Sequence, residues 1–254
     1  MALPTADEQW LLELANRIRV DPTNELSRLF TSLDPLTAVD PQVQSAVNFF
    51  SVNTTALQAN FAALSKVDAL AWNSEVHDAA KTHNDLMIST NTQSHRIGDE
   101  PRLLDRVQSA TTDQVNRVSE NVFLYGESVE YSHAGYVIDW GNTDTGIQQP
   151  AGHLINMTNG AMNVAGFAVG TSQAGEVSTT QNFAAINSKG PYVLGVAFDD
   201  NDGDAFYDTG EGLSGITVSV NGQATATWAS GGYQIENPGS GTVTVTFSGG
   251  VLNG

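Results

Sequence analysis

The charge distribution along the chain changes abruptly at Lys189-Gly190-Pro191. All ten Lys and Arg residues of the 254-residue chain lie at or before Lys189, together with long stretches of helical periodicity. Beyond this point the chain has no basic residue, and it is rich in Asp, in Gly and in alternating Val and Thr. A shift of composition at a Gly-Pro step is typical of a boundary between domains. We therefore expect two domains, residues 1–190 and 191–254.

The first domain is predicted to be α+β, with helices dominant. Apolar side chains recur at helical spacing in several stretches, beginning with residues 10–18. Two Asp-Pro steps, at 21–22 and 40–41, each supply an N-cap and a proline at the first helical position. Two short runs rich in Val and Phe predict strands, at 164–170 and 179–185. The helices should therefore pack on a small sheet.

The second domain is predicted to be a small all-β sandwich. Strand-like runs occur at 192–198 and 216–220, and Asn221-Gly222 is a type I′ hairpin signal. Residues 242–247 alternate Thr with apolar side chains. The chain ends soon afterwards, at Gly254, where another strand would fit, so we expect a domain truncated at its C-terminus. About 60 residues give a marginal core, and a bound metal would stabilise it.

An acidic loop lies between the first two strands of this domain. Residues 200–211 read DNDGDAFYDTGE and place carboxylates at loop positions 1, 3, 5, 9 and 12, the oxygen pattern that calcium requires. Position 6 holds Ala205 where such loops need glycine. The alternative is a solvated turn, but five carboxylates within twelve residues repel one another. The predicted calcium ligands are Asp200, Asp202, Asp204, the carbonyl of Phe206, Asp208 and Glu211.

Composition excludes several function classes. Ten basic against 28 acidic residues give a net charge of -18, which repels nucleic acid and anionic membranes. No apolar run reaches the ~18 residues of a membrane span. The chain has no cysteine, so it has neither disulfides nor thiolate metal sites. The start, MALPTADEQW, lacks a signal peptide, so the protein stays inside the cell or its leader precedes residue 1.

Three separated phrases carry candidate site residues: His95 in QSHR, Glu120 in VSENVF and His153 in PAGHLIN. Two imidazoles and a carboxylate suit a zinc site or an acid–base set, provided that the fold gathers them. Taken singly, each is more often a solvated loop residue. No serine-hydrolase elbow, phosphate loop or dinucleotide fingerprint occurs.

The order of several phrases resembles the CAP superfamily, shared by cysteine-rich secretory and pathogenesis-related proteins. The resemblance covers roughly residues 8–187 and is closest to the bacterial extracellular subgroup; its phrases include NRIRVDP, TQSHR, SENVF, HAGYVIDWG and GHLINMTNGAMNVAGFAVG. It implies an α-β-α sandwich with a pocket of two histidines and two acids. His95, Glu120 and His153 match three of these, and Asp139 matches the second acid better than Asp144 does.

A second resemblance concerns the acidic loop and its flanks, FDDNDGDAFYDTGEGLSGITVSV. This phrase is similar to the calcium-binding B-type repeats of bacterial serine-aspartate repeat adhesins. The resemblance implies an extracellular spacer or adhesive module with calcium in the loop.

Together the two resemblances imply a secreted bacterial protein, located outside the cell or on its surface. It would bind a ligand (a lipid, a peptide or a glycan) or a divalent metal in its His/acid cleft, with His95 and His153 as zinc ligands. One alternative is a metal-dependent hydrolase with Glu120 as base. Another is a structural surface or matrix protein with a vestigial pocket. We expect binding rather than catalysis.

Overall fold

A mixed four-stranded sheet with helices on both faces forms the first part of the computed structural model, which describes residues 2–251. The helices are α1 (Ala6–Val20), α2 (Pro22–Leu29), α3 (Pro41–Phe50), α4 (Thr54–Ala62), α5 (Ser74–Thr90), α6 (Leu103–Ala110), α7 (Val129–Ile138) and α8 (Gly152–Met157). The strands of this part are β1 (Phe30–Leu33), β2 (Leu36–Ala38), β3 (Ala71–Trp72), β4 (Val115–Gly126), β5 (Val164–Thr171) and β6 (Val177–Ile186). The mixed α/β class expected from the sequence is confirmed.

The main sheet has the order β3-β5-β6-β4, with β3 and β5 parallel and the other pairs antiparallel. Strand alternation sends successive side chains to opposite faces. Phe183 on β6 therefore packs with α1, α7 and α8, whereas Ala184 packs with α5 and α6. A separate hairpin of β1 and β2 lies beyond α2.

Side chains at the helix starts explain where most of these helices begin. Thr5 and Glu8 form a capping box at α1, and Asn73 accepts from two backbone N–H groups at the start of α5. Asp40 caps α3 as predicted. Asp21 differs from expectation, since its carboxylate accepts from the side chains of Asn24 and Arg28 instead of the backbone.

Arg19, near the end of α1, is fully buried. Its guanidinium donates to the carbonyl oxygens of Asp68, Met157, Asn159 and Met162 at 2.7–3.1 Å. Burial lowers its pKa to about 10, although Asp68 opposes this shift. A single side chain thus joins the first helix to the segment after α8.

The residues after the Gly190-Pro191 step form two small antiparallel sheets. The strands are β7 (Tyr192–Val196), β8 (Thr217–Val220), β9 (Gln223–Ala226), β10 (Gly232–Glu236) and β11 (Val245–Ser248). One sheet pairs β7 with β10, and the other has the order β11-β8-β9. Positive φ angles at Asn221 and Gly222, 48° and 82°, confirm the predicted type I′ hairpin. The division into domains 1–190 and 191–254 stays a prediction. Residues 1 and 252–254 lie outside the part of the chain that the structure describes.

Loops and one strand of this C-terminal part contact α1 and the edge strand β3 of the main sheet. Ser230 bonds to Gln9 at 3.2 Å, and the hydroxyl of Tyr207 donates to the carbonyl of Ala6 at 3.3 Å. Gln234 donates to the carbonyl of Trp72 at 3.0 Å. Helix α1 therefore contacts both parts of the chain. Among residues 2–251, no helix is long and apolar enough to cross a bilayer.

Candidate functional site

His153, which is half-buried, and the fully buried Asp139 form a pair between α7 and α8. Asp139 ends α7 in a left-handed conformation, with φ 57°, and is fully buried. Its Oδ2 accepts from the backbone N–H of His153 at 2.8 Å, and its Oδ1 lies 2.7 Å from Nδ1 of the ring. Because an ionised carboxylate only accepts, Nδ1 carries the proton and Nε2 of the neutral ring keeps a lone pair. The other candidate acid, Asp144, is exposed in the following loop.

His95 and Glu120 form a second pair, which joins the loop after α5 to strand β4. Glu120 lies in the middle of β4 and is 4% exposed, whereas the side chain of His95 is 60% exposed in the loop after α5. Nδ1 of His95 is 3.1 Å from Oε1 of Glu120. The structure thus gives each of the two histidines its own carboxylate.

Two asparagines join the strand of Glu120 to the helix of His153. Asn156 donates to the carbonyl of Glu120 and to the side chain of Asn121, at 3.1 and 3.0 Å. Asn121 in turn donates to the carbonyl of His153 at 3.1 Å. These side-chain bonds fix α8 against β4 and therefore fix the two histidine–carboxylate pairs relative to each other.

Arg106, on α6, is a site residue that sequence reasoning missed. Its guanidinium donates to Glu120 Oε2 and to Glu100 Oε1, both at 2.6 Å, and its side chain is only 5% exposed. Asn182, with its amide nitrogen toward Glu120, adds a bond of 3.0 Å to Oε2. Both oxygens of Glu120 therefore have partners, Oε1 from His95 and Oε2 from Arg106.

His83 is fully buried beside this arginine. Its Nε2 donates to the carbonyl of Ser94 at 2.8 Å, and its Nδ1 lies 2.9 Å from Glu100. Burial alone would raise the pKa of Glu100, but Arg106 and His83 outweigh it and lower that pKa. No sequence motif pointed to Glu100 or Arg106, because only the packing of α6 on β4 brings them to the site.

An aromatic cavity of about 180 Å³ adjoins His153. Its lining includes the rings of Phe50, Phe123, Tyr136 and Trp140. Tyr136 and Trp140 are buried, and the Tyr136 ring centroid is 5.5 Å from that of His153. The amides of two exposed glutamines, Gln93 and Gln148, also line it. The cavity therefore has an aromatic floor, an amide rim and one imidazole.

The acidic loop gathers three of its predicted calcium ligands. Asp200, Asp202 and Asp204 place carboxylate oxygens within 4.8 Å of one another. Within residues 2–251, no other three His, Cys, Asp or Glu side chains bring their ligand atoms within 4.8 Å of one another. The side chains of His95, Glu120 and His153 are therefore not gathered this closely. The pKa of Asp208 is raised, mainly by its partial burial and secondly by the negative charges of Asp204 and Asp202.

The loop backbone adopts the sharp turn that such sites need. Ala205, at position 6, has a φ of 63°, a left-handed conformation that normally selects glycine. Glu211, at position 12, is 7% exposed and accepts from the backbone of Asn201 and Asp208 at 2.8 and 2.9 Å. Its carboxylate thus ties the end of the loop back to its start.

The outer side of the loop rests on α1. The guanidinium carbon of Arg17 lies 4.6 Å from the ring centroid of Phe206. Thr209 donates to the carboxylate of Asp7 at 2.8 Å. The loop is thus held by the first helix as well as by its own strands.

Comparison with known proteins gives one family match. The model of CAP, described as the cysteine-rich secretory protein family, matches residues 12–183. No curated protein matches the chain.

Two solved structures match part of the chain. One is an extracellular protein containing a SCP domain from Bacillus anthracis strain Ames, 23% identical with a TM-score of 0.35, and the match covers 56% of this chain and 39% of that one. The other is an outer surface protein from Borrelia burgdorferi, 10% identical with a TM-score of 0.39, covering 57% and 90%. The match thus spans well under half of the Bacillus protein.

Proposed function

The chain belongs to the CAP, or cysteine-rich secretory protein, family, and on this premise we propose that it acts outside the cell by holding a small ligand in the cavity beside His153. The Asp139–His153 pair carries the proposal. Asp139 takes the proton-bearing Nδ1, so the ring keeps its Nε2 lone pair for a ligand at the wall of an aromatic cavity.

Binding is better supported than hydrolysis with Glu120 as the base. That hydrolysis needs the carboxylate of Glu120 to be free to take a proton from water. Both oxygens of Glu120 already bond to protein groups, one of them to the permanent cation of Arg106. Glu120 is therefore better suited to hold His95 in place than to activate water.

Zinc at His95 and His153 is a second candidate. In each histidine Nδ1 bonds a carboxylate, the arrangement in which Nε2 is left for a metal and the carboxylate orients the ring. Zinc bound there would supply a Lewis acid that polarises a ligand oxygen. The metal and an organic ligand would compete for Nε2 of His153.

We further propose that the loop 200–211 binds calcium and stiffens the C-terminal sheets, as its likeness to B-type repeats suggests. The converging oxygens of Asp200, Asp202 and Asp204 fit a hard cation, and Asp208 and Glu211 would complete the set with the carbonyl of Phe206. Such extracellular sites bind calcium at ~10⁻⁴–10⁻³ M, a range suited to a secreted protein.

Metal content and thermal unfolding test both metal proposals. Elemental analysis after dialysis against calcium and zinc should find zinc in the wild type but not in the pair His95→Ala, His153→Ala. Calcium should raise the melting temperature of the wild type by several degrees and that of Asp202→Asn by much less. The matched control is Asp99→Asn, an exposed carboxylate outside the loop. An unchanged melting temperature in chelator would refute the calcium assignment.

Ligand capture is tested by fragment screening that observes His153. The imidazole signals of the wild type should shift on binding of at least one fragment, and His153→Phe should abolish that binding while leaving the fold intact. A screen in which no neutral or charged fragment perturbs His153 would refute capture and favour a purely structural protein.

A further inference from the structure

We infer that the ligand of the cavity beside His153 is one ring of a neutral saccharide. This inference rests on the proposed function and narrows it to a ligand class. It follows from three properties of the cavity: its size, its charge and the placement of its hydrogen-bonding groups.

The size of the cavity limits the ligand to about one ring. Its volume of about 180 Å³ lies below the ~300–1,000 Å³ of pockets for drug-sized ligands. A long acyl chain would extend far outside it. The rings of Phe50 and Trp140 line the cavity and stack on each other, with 6.3 Å between their centroids and an interplanar angle of 10°. They give the cavity an aromatic wall against which an apolar ring face can pack.

The charge of the cavity excludes anions. No Lys or Arg lies among the described residues that line it. The carboxylate of Asp139 stands directly behind His153, and the chain carries a net charge of -18. A phosphate or carboxylate ligand would therefore meet repulsion with no cation to offset it.

The polar groups of the cavity both donate and accept, as sugar hydroxyls do. His153 offers the Nε2 lone pair as an acceptor. The Oε1 of Gln93 already accepts from the backbone of Leu124 at 2.9 Å, so its NH₂ group is the part left to donate. Gln148 adds an exposed amide. A quaternary ammonium or an alkyl group would use none of these groups, whereas a hydroxylated ring uses them all.

The four tryptophan indoles allow a test on the wild-type protein. Trp140 lines the cavity, whereas Trp10, Trp72 and Trp228 lie elsewhere and serve as internal references. Methyl glycosides of a hexose and of an N-acetylhexosamine, titrated into metal-free protein, should shift the indole N–H signal of Trp140 alone. The dissociation constant should be about millimolar, as expected for a ligand of this size. Choline and hexanol serve as cationic and alkyl probes.

Matched variants separate the cavity from its surroundings. Phe50→Leu and Gln148→Ala should each weaken saccharide binding by about tenfold. The controls Phe49→Leu and Gln149→Ala change the same residue types one position away and outside the lining, and should alter binding less than about twofold. Circular dichroism of each variant confirms folding, and the Trp140 titration of the wild type needs no variant.

Each outcome decides a different claim. A Trp140 shift with the glycosides, weakened by the two cavity variants, supports the saccharide assignment. If choline or hexanol shifts Trp140 and the glycosides do not, the ligand class is wrong and ligand capture stands. If none of the probes shifts Trp140, both claims fail. Glycoside shifts at the reference indoles would place the sugar outside the cavity and overturn the inference.

Discussion

At the scale of single residues, the carboxylate of Asp139 accepts two hydrogen bonds from one residue, the backbone and ring N–H groups of His153. The backbone N–H cannot change its protonation, but the ring can. Asp139 therefore sets the tautomer of His153 and with it the group that His153 presents to the cavity.

The variant Asp139→Asn should reverse this tautomer. The oxygen of the new amide can accept from the backbone, which leaves its NH₂ group facing Nδ1 of His153. Nδ1 must then lose its proton, and Nε2 becomes a donor. The ¹⁵N shifts of the His153 ring measure the change, with His95 as the reference. A wild-type tautomer in the variant would show that Asp139 does not control the ring.

Arg106 is the residue whose loss should cost most stability at the site. Replacement by Met leaves Glu100 and Glu120 buried without their cation, and breaking a buried ion pair on one side costs about 3–5 kcal/mol. Urea unfolding measures the effect. The control Lys81→Met breaks the exposed pair with Asp85 and should cost less than about 1 kcal/mol. Equal losses in the two variants would contradict the role given to Arg106.

At the scale of elements, the acidic loop contains one locally unfavourable residue. Ala205 holds a left-handed conformation at φ 63°, which costs an L-residue about 1–2 kcal/mol. Ala205→Gly removes that cost and adds some chain entropy to the unfolded state. We expect a net stabilisation of about 0.5–1 kcal/mol, measured by urea unfolding at saturating calcium.

The control for this prediction is Ala63→Gly. Ala63 ends α4 at a φ of -82°, where alanine is unstrained. Glycine there should destabilise the protein by about 0.5–1 kcal/mol. Opposite signs at the two alanines are expected, and a loss of stability at both would mean that Ala205 is not strained.

Elements that begin with a capping side chain were the most predictable. Asp40 and Asn73 identify the starts of α3 and α5, and Asn221-Gly222 identifies a hairpin, because each acts on its own neighbours in the chain. The first half of strand β4 carries no strand signal, since its sequence NRVSEN is polar and lacks a clean alternation. Its polar side chains are stabilised by partners on other elements, such as Arg106 on α6 for Glu120.

In the candidate site, too, features set by neighbours in the chain could be predicted, whereas features set by the packing of distant elements could not. Family phrases identified His95, Glu120 and His153 as residues to examine, but they gave no distances. The bonds of Glu120 to Arg106 and of Asn156 to β4 depend on how α6 and α8 pack on the sheet. The calcium ligands lie within one loop, so their spacing alone predicted the convergence of Asp200, Asp202 and Asp204.

At the scale of the whole molecule, the interface between the two parts of the chain contains a half-buried acid. Glu13, on α1, lines a cleft with residues of β7 and β10. Burial raises its pKa to about 7, although a hydrogen bond from Gln9 opposes the shift. The protein therefore holds a proton on Glu13 at a pH where the unfolded chain does not.

The sign of the resulting pH dependence follows. Because the pKa of Glu13 is raised in the folded state, its contribution to the free energy of unfolding is greatest below the ordinary pKa of 4.5. This contribution is lost as the pH rises through about 7. Between about pH 5 and pH 8, the free energy of unfolding should fall by roughly 1–3 kcal/mol from this group. Glu13→Gln should remove that fall, whereas the exposed control Glu127→Gln should retain it. Identical pH profiles for wild type and Glu13→Gln would contradict this role.

The four carbonyl partners of Arg19 also bear on how the chain is made. Three of them lie 138, 140 and 143 residues further along. A buried guanidinium without partners is costly, so α1 cannot settle into its final place before the segment 157–162 has left the ribosome. At roughly 5–20 residues per second, this delay lasts on the order of ten seconds. Helix α1 is therefore synthesised before the other described helices but is among the last of them to be locked in place.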